Sequence, residues 1–186
     1  MKISFAKLAL PATGTVVIGL TEGAKLGRIG IMLDRRTKAA LSRAMTASEF
    51  KGKKDSVVVI PAPAGGRLKR VLIFGLGPVK TFDAATAEKA GATLYSHISA
   101  DETVTVLLEG LPDAATSAAR IASGAQLKSY RFDKYHTKLE KSAKPKIKSF
   151  TLQTDDPTAA KNKSAPLSAS ADGVFFTRAL AAKDSG

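Results

Sequence analysis

The sequence contains no cysteine and only two histidines, His97 and His136. Without cysteine there is no disulfide, no thiolate nucleophile and no Cys-ligated zinc or iron–sulfur site. The histidines lie far apart and lack the His-x-x-Glu-His type of spacing that holds a metal. Acidic residues are scarce as well: 16 Asp and Glu face 29 Lys and Arg, a formal net charge of +13. A hard-cation site needs several converging carboxylates. The pairs Asp101-Glu102 and Asp155-Asp156 fall at predicted turns, where capping and solvation account for them. There is no Gly-x-Ser-x-Gly nucleophile elbow and no Walker lysine–hydroxyl pair. Long apolar runs are missing too. The uncharged stretch Leu8–Thr21 is broken by Pro11, Gly14 and Gly19, whereas a spanning helix needs about 20 mostly apolar residues. Lys7 interrupts the start, and no small-x-small cleavage site follows, so no secretory signal is expected. No residue is assigned a catalytic, cofactor-binding or metal-ligating role.

What remains is an ordinary globular composition of 186 residues, 44% hydrophobic and 24% charged, enough for roughly one domain. β-rich runs at Ile3–Phe5, Thr15–Leu20, Ser56–Ile60, Val71–Phe74, Thr103–Leu108 and Ile147–Gln153 alternate with helical periods. Ser56–Ile60, Val71–Phe74 and Thr103–Leu108 are continuously apolar and predict central strands buried on both faces. Ile147–Gln153 alternates Ile147, Phe150 and Leu152 with polar residues, as an edge or half-exposed strand does. Asp34 is the expected N-cap of a helix over Arg35–Ala47. Asp83 and Asp113 open Ala-rich helices reaching His97 and Tyr130, and Asp156-Pro157 reads as an N-cap with proline at the first helical position. Lys161–Ser170 reads as a flexible connection, and Ser170–Ala182 as a final helix. The alternation predicts a three-layer α/β/α fold around a mixed, largely parallel sheet.

Two features carry candidate chemistry. Gly75-x-Gly77, following a strand and preceding the helix at Asp83, would suit an anion at backbone N–H groups. A third glycine is missing and Asp83 would repel the anion, so a tight turn is the favoured reading. The stronger signal is basic. Lys128, Arg131, Lys134, Lys138, Lys141, Lys144, Lys146 and Lys148 are opposed only by Asp133 and Glu140, a local charge of +6, with Tyr130, Phe132 and Tyr135 interleaved. Lys51, Lys53 and Lys54 form a second cluster and Arg67, Lys69 and Arg70 a third. Such clusters neutralise phosphates and make nucleic-acid binding salt-dependent. A solvated lysine surface is the alternative.

Several segments together resemble one family. The stretch Ala125-Gln126-Leu127-Lys128-Ser129-Tyr130-Arg131-Phe132-Asp133-Lys134-Tyr135-His136-Thr137-Lys138 is similar to the "GA-x-LG-x-YRFD-x-Y-x-TK" signature in the N-terminal domain of leucyl (cytosol) aminopeptidases. Phe50–Lys54 resembles that family's "F-x-GK" element. Arg70–Gly77 resembles its "RVLLVGLG" strand and turn, and Lys89–Ala92 part of the helix that follows. Ala171–Leu180 is similar to its "A-x-GV-x-x-ARDL" interdomain helix, with Ala179 where aspartate is usual.

The resemblance implies a macrodomain-like N-terminal domain over 1–165 and the start of an interdomain linker helix over 166–186. It implies a separate catalytic domain carrying two divalent metal ions, zinc or manganese, whose "NTDAEGRL" signature this sequence lacks. It further implies a cytoplasmic protein, without membrane partners, that pairs with its own catalytic domain in a family-type homo-hexamer when full length. Some bacterial members of the family bind DNA, which bears on the basic segment.

Overall fold

The computed structural model describes residues 1–135 and 144–168. Six strands form one sheet: β1 (Lys2–Lys7), β2 (Thr13–Thr21), β3 (Val57–Pro61), β4 (Arg67–Gly77), β5 (Thr103–Leu108) and β6 (Ser149–Thr154). Their spatial order is β1-β6-β5-β2-β4-β3. Every neighbouring pair is parallel except β3 with β4. The helices are α1 (Arg28–Arg36), α2 (Ala40–Ala47), α3 (Ala84–Ile98), α4 (Ala114–Tyr135) and α5 (157–168).

Strand alternation sorts the apolar side chains onto two faces. Val17, Leu72, Phe74, Val106, Leu108, Phe150 and Leu152 pack under α3, α4 and α5. Val16, Ile18, Val71, Ile73 and Leu107 pack under α1 and α2 through Ile29, Leu33 and Leu41. The expected three-layer α/β/α architecture with a mixed, largely parallel sheet is therefore observed. Helices α3 and α4 cross with their backbones touching. A Cβ built on Gly124 would collide with the Glu88 carbonyl oxygen, and one on Gly91 with that of Ile121. The small residues Ala87, Ala90, Ala118 and Ala122, buried around the crossing, allow that approach.

Local signals placed several helix starts correctly. The Asp83 carboxylate accepts the Thr86 N–H at 2.8 Å, and the Asp156 carboxylate accepts that of Ala159 at 3.1 Å. Four expectations need correction. β3 is an antiparallel edge strand, with Val59 46% exposed. β6 is an interior strand between β1 and β5, and its Phe150 and Leu152 are fully buried. The helix expected over Arg35–Ala47 is two helices, because Lys38 and Ala39 adopt positive φ and break the ladder. Asp34 lies inside α1, yet its carboxylate still accepts the N–H of Ser42 in the first turn of α2 at 3.0 Å. Finally, most of Lys161–Ser170 is helical rather than a flexible connection, since α5 runs to residue 168. The helix expected over Ser170–Ala182 lies outside the described residues.

Candidate functional site

The chain leaving β2 enters α1 on one face of the sheet, and the chain leaving β5 enters α4 on the other. Open parallel sheets have a crevice at the carboxyl ends of strands where such a reversal occurs. Here it has a volume of about 440 Å³, and its walls include Thr21, Lys25, Arg28, Glu109 and Asp155. The first turn of a helix carries N–H groups with no partner inside the helix, the arrangement that receives phosphates in many folds. In this chain the position on α1 is taken. Glu109, directly after β5, accepts the Ile29 N–H at 2.8 Å and the Gly30 N–H at 3.0 Å, one with each carboxylate oxygen. Asp155, after β6, accepts the Gly110 N–H at 3.1 Å and braces the same loop. Sequence reading did not single out Glu109. Its local signal was thin: a carboxylate at the end of an apolar strand, and a Gly27-x-x-Gly30 pair in a helix not recognised as one.

Gly75-x-Gly77 is not an anion loop. The Gly75 N–H donates to the Ser56 carbonyl at 2.8 Å and the Gly77 N–H to that of Gly52 at 3.0 Å. A Cβ on Gly75 would collide with the Lys53 carbonyl oxygen. These glycines let β4 pass against the 52–56 loop, and their donors face that loop rather than a ligand.

The basic residues divide between the two ends of the sheet. Arg67, Lys69 and Arg70 lie at the start of β4, and Lys144, Lys146 and Lys148 lead into the start of β6. The two groups share one end through Asp101 and Glu102, just before β5. Asp101 is almost wholly buried and receives Lys69 at 3.1 Å and Arg70 at 2.5 Å. The Arg70 guanidinium also donates to the His97 carbonyl at 2.7 Å. The Lys146 and Lys148 N–H groups donate to the carbonyls of Ser99 and Glu102 at 2.7 and 2.9 Å. Burial pushes the Asp101 carboxyl up, but its bonds to Arg70 and Lys69 and their charges outweigh that and hold it below the ordinary range. α4 leaves the opposite end of β5 and is about 33 Å long by its residue count. It therefore carries Lys128, Arg131 and Lys134 back toward the basic end. Lys128 is half-buried, whereas Arg131, Lys134, Lys144, Lys146 and Lys148 are exposed. Lys138 and Lys141 lie outside the described residues. Lys51, Lys53 and Lys54 stand at the other end of the sheet, beside the carboxyl ends of β2 and β4.

Of the interleaved aromatics, Phe132 packs against the core under α3 and α4. His97 is exposed near the end of α3, its ring edge-on to Phe74. Among the described residues, no group of three or more His, Asp or Glu side chains converges as a metal site. Nor, among them, is any helix long and apolar enough to cross a membrane.

Comparison with known proteins defines the class. Residues 17–139 match the N-terminal domain of the cytosol aminopeptidase family. The chain is 33% identical over 184 residues to a probable cytosol aminopeptidase of Rhodopseudomonas palustris, covering 97% of this chain and 37% of the relative. A probable cytosol aminopeptidase of Chelativorans is 37% identical over 182 residues, covering 96% and 36%. A tomato leucine aminopeptidase variant superposes with a TM-score of 0.74 at 20% identity, over 97% of this chain and 38% of that one. The bottromycin maturation enzyme BotP, solved in complex with Mn, superposes with a TM-score of 0.55 at 27% identity, over 84% and 30%. The chain spans little more than a third of the curated relatives it matches. It belongs to the cytosol aminopeptidase family, as that family's N-terminal domain.

Proposed function

We propose that this domain is the non-catalytic partner of a metal-dependent aminopeptidase domain and serves assembly, substrate access or regulation. The observation that carries the reading is the match to the family's N-terminal domain combined with a described surface that lacks any converging metal-ligand set. In the whole protein, two divalent ions, zinc or manganese, would supply Lewis-acid and water-activating chemistry from the catalytic domain. Residues 166–186 would lead into that domain, and the assembly would be a cytoplasmic homo-hexamer. The test is direct: the purified 186-residue chain is given zinc or manganese and a leucyl anilide. No metal-stimulated release of leucine is expected, and robust turnover would overturn the reading.

A second reading is favoured by one structural fact. Two basic clusters separated by about seventy residues of sequence lie at one end of the sheet on either side of the start of β5: Lys69 and Arg70 on Asp101, and Lys146 and Lys148 on the Ser99 and Glu102 carbonyls. That end suits a polyanion such as duplex DNA, held through phosphates. Affinity for a duplex is expected to fall steeply with salt, and undetectable binding at low salt would remove this reading.

A further inference from the structure

The outer edge of β1 borders a groove that the described chain leaves unfilled. Among the described residues, β1 pairs only with β6. The Lys2 N–H turns inward and donates to the Lys148 carbonyl at 2.8 Å. Strand alternation therefore turns the N–H and carbonyl groups of Ile3, Phe5 and Lys7 outward, where no second strand among the described residues receives them. Between this strand and α5 lies a groove of about 460 Å³, and the chain from Met1 to Phe5 lines it without a break. Its floor is Ile3 and Phe5, only partly buried where they pack on the core. Its wall is α5, through Lys161, Ser164, Ala165 and Ser168. That spacing puts all four on one helical face, and three of them are too small to fill the space.

We propose that this groove receives an extended acidic segment of a partner protein, which joins the sheet as a strand alongside β1. The outward groups of Ile3, Phe5 and Lys7 bond its backbone, and its alternate apolar side chains rest on Ile3 and Phe5. Charge selects the occupant. Lys2 and Lys7 stand exposed at the two ends of the edge, and Lys161 stands exposed on the wall. None of the three has a salt bridge among the described residues, and no Asp or Glu lines the groove. A second copy of the chain is the wrong partner. Two β1 edges laid antiparallel would bring Lys2 of each opposite Lys7 of the other, and like charges facing across a pair are destabilising. Edge lysines are a common means of keeping such copies apart. A strand with a carboxylate near each end turns the same two charges into attractions. The inference does not rest on the aminopeptidase reading, and its register comes from a backbone edge rather than from phosphates.

The probe is a labelled, blocked peptide as long as β1, with glutamate at each end and valine and threonine alternating between them. Binding to the 186-residue chain is read by fluorescence anisotropy and its position by amide hydrogen exchange. Saturable binding is expected, with slowed exchange at Ile3, Phe5 and Lys7. The same peptide with lysine at its ends is expected to bind at least about tenfold more weakly. Lys2→Glu combined with Lys7→Glu is expected to invert that preference, which a purely structural role for the two lysines would not do. Ala165→Trp fills the groove from an exposed position on α5 and leaves β1 unaltered; it is expected to weaken the acidic peptide about tenfold or more. Failure of the acidic peptide to bind overturns the proposal. So does binding that leaves exchange at Ile3, Phe5 and Lys7 unchanged, which would place the peptide on the basic end of the sheet. A preference that survives the charge exchange, an affinity indifferent to Ala165→Trp, or a native dimer already covering this edge overturns it equally.

Discussion

The two ends of the sheet handle charge in opposite ways. At the carboxyl ends of the strands, the chain supplies its own anions: Glu109 and Asp155 satisfy backbone donors that would otherwise face a crevice. At the amino ends, cations outnumber acids. Asp101 engages Lys69 and Arg70, and Glu102 lies 4.0 Å from Lys148, a pair of two exposed groups. At the first end the loop and helix donors are met from within, and the second presents its charge outward. In a parallel sheet the carboxyl ends are where ligand sites are usually built. In this domain the crevice is braced by the chain's own carboxylates; Lys51, Lys53 and Lys54 stand exposed at the same end of the sheet, and the larger basic group lies at the opposite one.

Perturbations ordered by size sharpen this contrast. The largest effect is expected between the ends, where α3 and α4 connect them. In Gly124→Leu, the new Cβ would run into the Glu88 carbonyl oxygen, so the helices must separate. A loss of about 3 kcal/mol is expected in urea unfolding, with both ends loosening together in hydrogen exchange.

Asp101→Asn strikes what is, among the described residues, the one buried charged side chain of the basic end. A loss of about 2 kcal/mol is expected at neutral pH, below the range for fully buried pairs because Lys69 is largely exposed. The sign of its pH dependence follows from the depressed carboxyl. A carboxyl held lower in the folded state stabilises above the ordinary aspartate range and loses that contribution as pH falls through its folded value. The gap between native and Asp101→Asn is therefore expected to be full at pH 7 and to close in acid, as read by unfolding midpoints below about pH 4.

The smallest effect on stability belongs to the exposed lysines. Replacing Lys144, Lys146 and Lys148 by glutamate is expected to shift stability by about 0.5 kcal/mol or less. The same replacement is expected to flatten the salt dependence of duplex binding by roughly one unit of log–log slope for each phosphate no longer neutralised. An unchanged slope would move the polyanion surface away from this end of the sheet.

Much of the framework was legible because it is encoded locally. Asp83, Asp113 and Asp156 announce helix starts by a side chain reaching three residues ahead. Those bonds leave a trace in the titration of two of them: the Asp83 carboxyl is lowered mainly by the Thr86 N–H, and that of Asp113 mainly by the Thr116 side chain. The apolar runs of β2, β4 and β5 likewise announce buried strands. Strand position was less legible. Ser56–Ile60 is as apolar as a central strand, yet β3 lies at the edge. Ile147–Gln153 alternates like an edge or half-exposed strand, yet β6 lies inside, because β1 at the beginning of the chain pairs along it. The helix α1 went unrecognised because Arg28, Asp34, Arg35 and Arg36 crowd a short apolar stripe of Ile29 and Leu33. With it went the crevice, since nothing in the sequence connects Glu109 to Gly27 and Gly30.

By itself, then, the amino-acid order determined the alternating strands and helices, most helix starts, the family signature and the excess of positive charge. These depend on neighbours within a turn or a strand, or on composition alone. Tertiary structure alone decided which strands are central, which basic clusters meet, and that a carboxylate 80 residues away occupies the first turn of α1. Those outcomes depend on crossovers between strands, where positions remote in sequence are brought within hydrogen-bonding distance by burial of the two apolar faces.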